Sequence, residues 1–149
     1  MDKVLFVCSG NTCRSPFAEK YFNKLAKELS LSSFASSAGL FTYGGESPSK
    51  NAITASADFG VDGEMSAHAS HAITAEMLAK SDFIIAMGPP HLEVIEKAIH
   101  SSLCVKDGQR RLLLGSGISD PYGGSVSDYK SCYLQIANEI RAFIEANYK

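Results

Sequence analysis

Residues 4–16 read VLFVCSGNTCRSP, and this stretch decides the fold. The first four residues form an apolar run without alternation, which is typical of a strand buried on both faces of a parallel sheet. A short polar segment follows. Ser15 and Pro16 then predict a helix, with the serine as its cap and the proline in its first turn. The chain is therefore expected to open with a strand, a tight loop and a helix.

Strands and helices alternate along the rest of the chain. Further strands are predicted at residues 34–38, 83–87 and 102–105, and further helices near 49–58, at 90–98 and from Asp128 onward, with Asp128 as the cap. The leucines at 112–114 are assigned to a short helix or a loop. This alternation predicts a parallel sheet with helices on both faces. Such sheets bind ligands beyond the carboxyl ends of their strands, which is where the loop after the first strand lies.

Composition limits the class of partner. The 149 residues include 14 basic and 16 acidic side chains, giving a formal net charge of -2, so binding to nucleic acid or to an anionic membrane is not expected. No stretch approaches the about 20 apolar residues of a membrane span. We expect a single domain over residues 1–149, in the cytoplasm, with its four cysteines reduced. Because no pair has Cys-x-x-Cys spacing, a zinc site is not expected. No cofactor is expected either.

Cys8 and Arg14 lie at the two ends of the loop, which leads directly into a helix. Backbone N–H groups in such a loop, together with a helix N-terminus, form a concave set of donors for a tetrahedral oxyanion such as phosphate. The guanidinium of Arg14 can bind two phosphate oxygens at once. The same positive surroundings favour the thiolate of Cys8 over its thiol, which predicts a nucleophile for attack on phosphorus.

Other polar residues have predicted supporting roles. The Ser15 hydroxyl can donate a hydrogen bond to the thiolate. Gly10 keeps the loop free of a blocking side chain, and Asn11 tolerates a left-handed backbone while its amide holds the loop. Asp120 begins the sequence DPYGG at residues 120–124 and is the candidate acid that protonates the leaving group. By composition alone, this Asp-Pro pair is also a common turn.

The segment at residues 7–16, together with the Asp-Pro-Tyr sequence at 120–122, resembles the low-molecular-weight protein-tyrosine phosphatase family, and the likeness extends over nearly the whole chain. It implies an α/β fold, a three-layer αβα sandwich with a central four-stranded parallel sheet and the phosphate-binding loop after the first strand. The loop residues implied are Ser9, Gly10, Asn11, Thr12, Cys13 and Ser15. The resemblance further implies a phosphocysteine on Cys8, Arg14 as phosphate clamp, Asp120 as acid and then base, and no metal.

The resemblance also concerns redox chemistry and substrate. Cys13 matches the second loop cysteine of the family, which implies a reversible disulfide with Cys8. Thr12 and the sequence DPYGGS at 120–125 resemble the bacterial branch that includes protein-arginine phosphatases, in which threonine at this position is associated with phosphoarginine. We expect Phe41 and Tyr122 to line the pocket entrance and to stack on the phosphorylated side chain.

The remaining histidines and cysteines are assigned to surface or packing roles. His68 and His71 favour a polar, loop-supporting role over a metal site, because no third ligand is evident. His91 is expected to face solvent. Cys104 and Cys132 are expected in the core, one in a strand and one on an apolar helical face.

The leading hypothesis is a phosphatase for phosphotyrosine or phosphoarginine in proteins. It is expected to be a monomer that also binds inorganic phosphate or other oxyanions as inhibitors. An arsenate reductase of similar fold is one alternative, but it needs two further cysteines near the third strand, and residues 83–87 contain none. A phosphoprotein-binding relative without turnover is the other. Its mark would be loss of the nucleophile or the acid, whereas Cys8 and Asp120 are both present.

Overall fold

A four-stranded sheet forms the centre of the protein. The computed structural model describes residues 2–102 and 104–148. The strands are β1 (Asp2–Cys8), β2 (Ser33–Gly39), β3 (Phe83–Ala86) and β4 (Arg110–Leu113). They lie in the order β2-β1-β3-β4, and each neighbouring pair is parallel. The predicted α/β fold with a four-stranded parallel sheet is confirmed.

Helices connect the strands and cover both faces of the sheet. They are α1 (Arg14–Glu28), α2 (Lys50–Ser56), α3 (Asp62–Ser66), α4 (Ala75–Lys80), α5 (Pro89–Ser102) and α6 (Val126–Asn147), with a 3-10 turn at Ala57–Phe59 after α2. Within the described residues, no helix combines the length and the apolar character needed to cross a membrane.

Two apolar clusters lie on opposite faces of the sheet, because successive side chains of a strand point to opposite sides. From β1, Val4, Phe6 and Cys8 pack with buried residues of α1 and α6. Leu5 and Val7 pack with buried residues of α4 and α5 on the other face. The sheet is therefore the middle layer of three, and Cys8 belongs to the layer that contains α1.

The position of β1 explains where a site can form. β1 lies between β2 and β3, and its residues from 4 to 8 are buried, as the continuous apolar run predicts. The chain leaves β1 toward β2 on one side and later returns to add β3 on the other. The carboxyl ends of β1 and β3 are therefore the topological switch point, where parallel sheets leave room for a ligand.

The fourth strand lies later in the chain than predicted. It is Arg110–Leu113, whereas the sequence pattern favoured residues 102–105 and placed the leucines at 112–114 in a helix or loop. Leu103 lies outside the described residues, and Cys104 is exposed rather than in the core. As an edge strand, β4 has no fully buried residue. Its sequence therefore lacks the continuous apolar run that identifies the inner strands.

The last helix begins before the predicted cap. Ser125 is the N-cap residue, and its hydroxyl accepts the backbone N–H of Asp128 at 3.2 Å. The carboxylate of Asp128 in turn accepts the Ser125 N–H at 2.9 Å. This reciprocal capping box satisfies two N–H groups that the helix itself leaves unpaired. Asp128 therefore acts from the third helical position rather than as the cap.

The end of β2 lies against the loop after β1. A Cβ atom on Gly39 would lie 2.7 Å from the carbonyl oxygen of Ser9 and 3.0 Å from the carbonyl carbon of Gly10. Two residues further along, the N–H of Phe41 donates to that same Ser9 carbonyl at 2.9 Å. The absence of a side chain at Gly39 thus allows the loop to close on β2.

Gly39→Ala is expected to lower the free energy of unfolding by about 1–3 kcal/mol, because the backbone of Ser9 and Gly10 must move away from the added methyl group. Urea denaturation measures this change. The matched control is Gly63→Ala in α3, where a Cβ would meet nothing within 4 Å and where alanine is the better helix former by up to about 1 kcal/mol. An unchanged midpoint for Gly39→Ala would contradict the packing argument.

Candidate active site

A cavity of about 240 Å³ opens at the carboxyl end of β1. Its lining consists of the loop from Cys8 to Arg14, together with Phe41, Glu46, Asp120 and Tyr122. The fold thus brings the loop, the predicted acid and both predicted wall residues to one place, although the acid and the loop are more than 100 residues apart in the chain. Glu46 was not among the candidates from sequence.

Cys8 is buried at this cavity and its sulfur has two polar neighbours. Its Sγ lies 2.9 Å from the hydroxyl of Ser15 and accepts the backbone N–H of Asn11 at 3.3 Å. Because Asn11 Nδ2 donates to the Ser15 oxygen at 2.8 Å, the hydroxyl proton of Ser15 is free to point at sulfur. Donors directed at one atom stabilise negative charge there, so the site is suited to a thiolate.

Ser15 is not the cap of the first helix. Helix α1 begins at Arg14, and the N-cap residue Cys13 makes no side-chain capping bond. Ser15 therefore lies inside the first turn, and its hydroxyl contacts Cys8 and Asn11 instead of the helix backbone. The helix N-terminus consequently begins directly at the loop, and its positive end lies next to the cavity.

Asn11 is fully buried and has a left-handed backbone, with φ of 56°. Its Nδ2 donates to Ser15 Oγ at 2.8 Å and to Ser37 Oγ at 2.9 Å, and its Oδ1 accepts the N–H of His71 at 2.8 Å. Its carbonyl oxygen contacts Nε2 of His68 at 2.9 Å. Every polar atom of Asn11 is therefore bonded, which offsets the strain of its backbone conformation.

A carboxylate ends the hydrogen-bond chain that begins at Cys8. Ser37 Oγ donates to Glu19 Oε1 at 2.5 Å, so the same oxygen is free to accept from Asn11. Because an ionised carboxylate only accepts, Glu19 fixes the direction of the donors from Ser37 back through Asn11. Sequence reasoning missed Glu19, which has no motif of its own and becomes linked to the loop only through β2.

His68 supports the loop as a neutral side chain. A carbonyl oxygen only accepts, so Nε2 of His68 carries the proton that contacts Asn11. Burial lowers the pKa of His68, although the bond to Asn11 opposes that effect. His71 contributes its backbone N–H to the same asparagine. Among the described residues, no group of three histidine, cysteine or acidic side chains is arranged to hold a metal ion.

Arg14 and Asp120 approach each other across the cavity. The buried guanidinium donates from Nη1 to the carbonyl of Ile118 at 2.8 Å, and its Nη2 lies 3.6 Å from Asp120 Oδ2. The side chain of Asp120 is 50% exposed, and its Oδ1 accepts the N–H of Tyr122 at 3.1 Å. The segment that carries Asp120 thus also holds Arg14, through the carbonyl of Ile118. Asp120 itself is open to solvent and to a substrate.

His91 is buried rather than facing solvent, so that prediction is wrong. Its Nε2 lies 2.8 Å from the hydroxyl of Ser9. Its Nδ1 finds no hydrogen-bond partner in the part of the chain that the structure describes. Burial, followed by the nearby charge of Arg14, lowers the pKa of His91. One sequence signal could have placed His91 near the site. It lies five residues after β3 ends, at the carboxyl edge of the sheet.

Cys13 is a buried thiol beside a second buried cysteine. The hydroxyl of Tyr133 donates to the Cys13 carbonyl at 3.2 Å and lies 3.8 Å from its sulfur. A hydrogen bond with Cys132, followed by burial, raises the pKa of Cys13, so it stays protonated. The burial predicted for Cys132 is confirmed. All four cysteines are free thiols, and a disulfide between Cys8 and Cys13 stays a prediction.

Two further loop residues lie side by side. A Cβ on Gly10 would lie 3.7 Å from Thr12 Oγ1, an ordinary contact. The packing of the loop itself therefore does not require glycine at this position, unlike Gly39. We expect Gly10 to matter for a bound ligand instead, because a side chain at this position would block it.

Nearly the whole chain is similar in sequence to known phosphatases. The sequence model of the family described as low molecular weight phosphotyrosine protein phosphatase matches residues 3–149. The low molecular weight phosphotyrosine protein phosphatase of Sus scrofa is 35% identical over 153 residues, covering 95% of this chain and 93% of that protein. The protein-arginine-phosphatase of Bacillus subtilis (strain 168) is 30% identical over 140 residues, covering 93% of this chain and 91% of that protein.

A solved structure adds a chemical observation. It is the arginine phosphatase YwlE in a mutant whose active-site cysteine is replaced by a serine, and that serine is phosphorylated. It matches with a TM-score of 0.82 and 25% sequence identity, covering 98% of this chain and 97% of that one. Sequence and structure therefore agree, and the chain belongs to the low molecular weight phosphotyrosine protein phosphatase family.

Proposed function

We propose that this protein hydrolyses phosphotyrosine or phosphoarginine side chains of proteins through a phosphocysteine intermediate on Cys8. Arg14 clamps the phosphoryl group, and Asp120 acts as acid and then as base. One observation carries the proposal. The sulfur of Cys8, with donors from Ser15 and Asn11, lines the same cavity as the guanidinium and the carboxylate.

Binding of the phosphoryl group depends on local charge. Backbone N–H groups of residues 9–14 and the N-terminus of α1 supply donors around the cavity, and Arg14 supplies a full positive charge. Because Ile118 already holds one side of the guanidinium at 2.8 Å, little conformational entropy is lost when it binds the ligand. Ser9, Thr12 and Cys13 act here mainly through their backbone.

In the first chemical step the thiolate of Cys8 attacks phosphorus opposite the leaving group. The sulfur–phosphorus bond forms as the bond from phosphorus to the tyrosine oxygen or arginine nitrogen breaks, and Asp120 donates a proton to the departing atom. The half-exposed position of Asp120 beside Arg14 supports this role, because the carboxyl group can reach an atom at the cavity mouth.

In the second step a water molecule attacks the phosphocysteine. Asp120, now a carboxylate, accepts a proton from this water, and the sulfur leaves as a thiolate. The hydroxyl of Ser15 and the N–H of Asn11 stabilise the returning negative charge. The phosphorylated serine in the mutant relative supports this route, since it places a phosphoryl group at that protein's equivalent position.

Aromatic side chains form part of the cavity wall. Phe41 and Tyr122 both line it, and both are largely exposed, at 72% and 81%. We propose that they flank the phosphorylated side chain on its way to Cys8. Exposed aromatic rings gain buried area when a substrate covers them, and they lose little side-chain entropy in doing so.

The family assignment favours this function over the alternatives. The relatives reported above are named as phosphatases rather than arsenate reductases. A purely binding role would not need an acid beside the nucleophile. We also propose that the chain acts as a single-domain cytoplasmic monomer without a cofactor, and that inorganic phosphate and similar oxyanions inhibit it.

Cys8→Ser is expected to reduce kcat for an aryl phosphate by at least about 10³-fold, because a neutral hydroxyl replaces the thiolate. Equilibrium binding of inorganic phosphate, measured by calorimetry, should persist because the loop donors and Arg14 remain. Cys104→Ser, which changes an exposed cysteine outside the cavity, is the control and should be fully active. Normal turnover by Cys8→Ser would refute the phosphocysteine mechanism.

Asp120→Asn is expected to lower kcat by about 10²-fold or more for a phosphotyrosine peptide, whose leaving oxygen needs a proton. The loss should be much smaller for an aryl phosphate with a strongly acidic phenol, which leaves without protonation. Steady-state kinetics with both substrates measure the difference. Equal losses on the two substrates would show that Asp120 is not the acid.

The stability of the protein is expected to fall as the pH decreases below about 6.5. The pKa of His68 is lowered in the folded state, so near this pH the unfolded chain binds protons that the folded chain does not. The stability that neutral His68 contributes is therefore fully present above about pH 6.5 and is lost progressively as the pH falls below it. His91 shifts in the same direction.

His68→Gln removes one of these titrating groups while keeping an N–H donor for the Asn11 carbonyl. The slope of unfolding free energy against pH, from urea denaturation between pH 7.5 and 5.5, should then decrease by up to about 1 kcal/mol per pH unit. An identical slope in the variant and the parent would contradict the neutral state of buried His68.

A further inference from the structure

Glu46 places a carboxylate at a cavity that otherwise favours anions. We propose that Glu46 is a specificity-determining residue, selecting phosphorylated side chains in which positive charge adjoins the phosphoryl group, as the guanidinium does in phosphoarginine. This inference rests on the function proposed above, and it adds a reason for substrate choice that lies outside the phosphate-binding loop.

The carboxylate of Glu46 is held in place. The hydroxyl of Thr42 donates to its Oε1 at 2.7 Å. Its backbone N–H donates to Ser70 Oγ at 2.9 Å, and its carbonyl accepts the Ser70 N–H at 2.8 Å. Ser70 is itself buried. Glu46 is therefore held at both its side chain and its backbone.

The backbone before Glu46 turns so that this residue returns to the cavity. Gly44 and Gly45 have φ values of 95° and 83°, in the region that favours glycine. The N–H of Gly45 donates to the Ser70 carbonyl at 2.9 Å. At its start the segment is tied to the phosphate-binding loop by the bond from Phe41 N–H to the Ser9 carbonyl. The carboxylate is thus fixed relative to the loop that binds phosphate.

Among the charged side chains that line the cavity, Glu46 and Asp120 are acidic and Arg14 is basic. Within residues 2–102 and 104–148, no lysine, arginine or histidine lies within ion-pair distance of Glu46, and the guanidinium of Arg14 is already near Asp120. A phosphoryl dianion on an uncharged group is therefore repelled by Glu46. A substrate that carries a positive charge beside its phosphoryl group avoids that penalty.

The two substrate classes differ in the atoms they present to Glu46. Beyond its phosphoryl group, phosphoarginine has a guanidinium with N–H donors, which can form charge-assisted hydrogen bonds to a carboxylate. Phosphotyrosine has an ether-type oxygen and a neutral ring, neither of which can donate. Glu46 therefore attracts one substrate and disfavours the other, and this difference of affinities is what specificity requires. Asp120 is not available for this task, because it handles the proton of the leaving group.

Glu46→Gln tests the inference with a change of charge at nearly constant shape. The amide oxygen can still accept from Thr42, so the loop keeps its anchor. The value of kcat/KM is measured for two peptides of the same flanking sequence, one with phosphoarginine and one with phosphotyrosine. We expect about a tenfold loss for the phosphoarginine peptide, and an unchanged or higher value for the phosphotyrosine peptide. Inhibition by inorganic phosphate should become stronger.

Two further variants sharpen the result. Glu64→Gln removes an exposed carboxylate of α3 that does not line this cavity, and it should leave both kcat/KM values unchanged. Thr42→Val removes the hydroxyl that holds Glu46 and should give a smaller loss for phosphoarginine alone. The preference of the parent protein should also weaken with added salt, because the contact is between charges.

The failure of this inference is distinguishable from the failure of the proposed function. Equal changes of kcat/KM for the two peptides in Glu46→Gln, or no change for either, would overturn the role of Glu46. The proposed phosphatase function would still stand. If the parent protein hydrolyses neither peptide, the proposed function itself is wrong. Thermal unfolding of each variant shows whether a loss of activity reflects folding instead of charge.

Discussion

The rest of the site depends on the hydrogen bonds of Asn11, whose side-chain amide is buried. Its left-handed backbone costs of order 1–3 kcal/mol, and hydrogen bonds to Ser15, Ser37 and His71 hold it in that state. The same conformation aims the Asn11 N–H at the sulfur of Cys8. The backbone conformation of Asn11, its hydrogen bond to the Cys8 sulfur and its link to β2 therefore depend on one another.

The proposed function requires a slightly acidic protein to bind an anion at this site. The formal net charge of -2 gives no long-range attraction for phosphate, so affinity must come from groups within a few ångströms. We propose that the N-terminus of α1 and the guanidinium of Arg14 supply this affinity at the switch point of the sheet. Gly39 contributes by its lack of a side chain, because it lets the phosphate-binding loop lie directly against β2.

In the proposed mechanism, chemistry and substrate choice reside in different parts of the cavity. The groups that would make and break bonds belong to the phosphate-binding loop and to the segment at Asp120, which are held by buried contacts. The rim is formed by more exposed residues, Phe41, Tyr122 and Glu46. Changes at the rim can alter charge and shape without disturbing the buried network, so one reaction can serve different phosphorylated side chains.

Local patterns in the sequence were sufficient to predict the inner strands, the loop after β1 and the candidate nucleophile Cys8, because the run at residues 4–7 and the segment that follows are contiguous. They could not reveal β4, whose half-exposed edge lacks an apolar run. They also missed Glu19, Glu46 and the burial of His91. Glu46 lines the cavity, whereas Glu19 and His91 are connected to its loop through Ser37 and Ser9. These connections join segments that are distant in the chain, and only the tertiary packing of the sheet and its connections creates them.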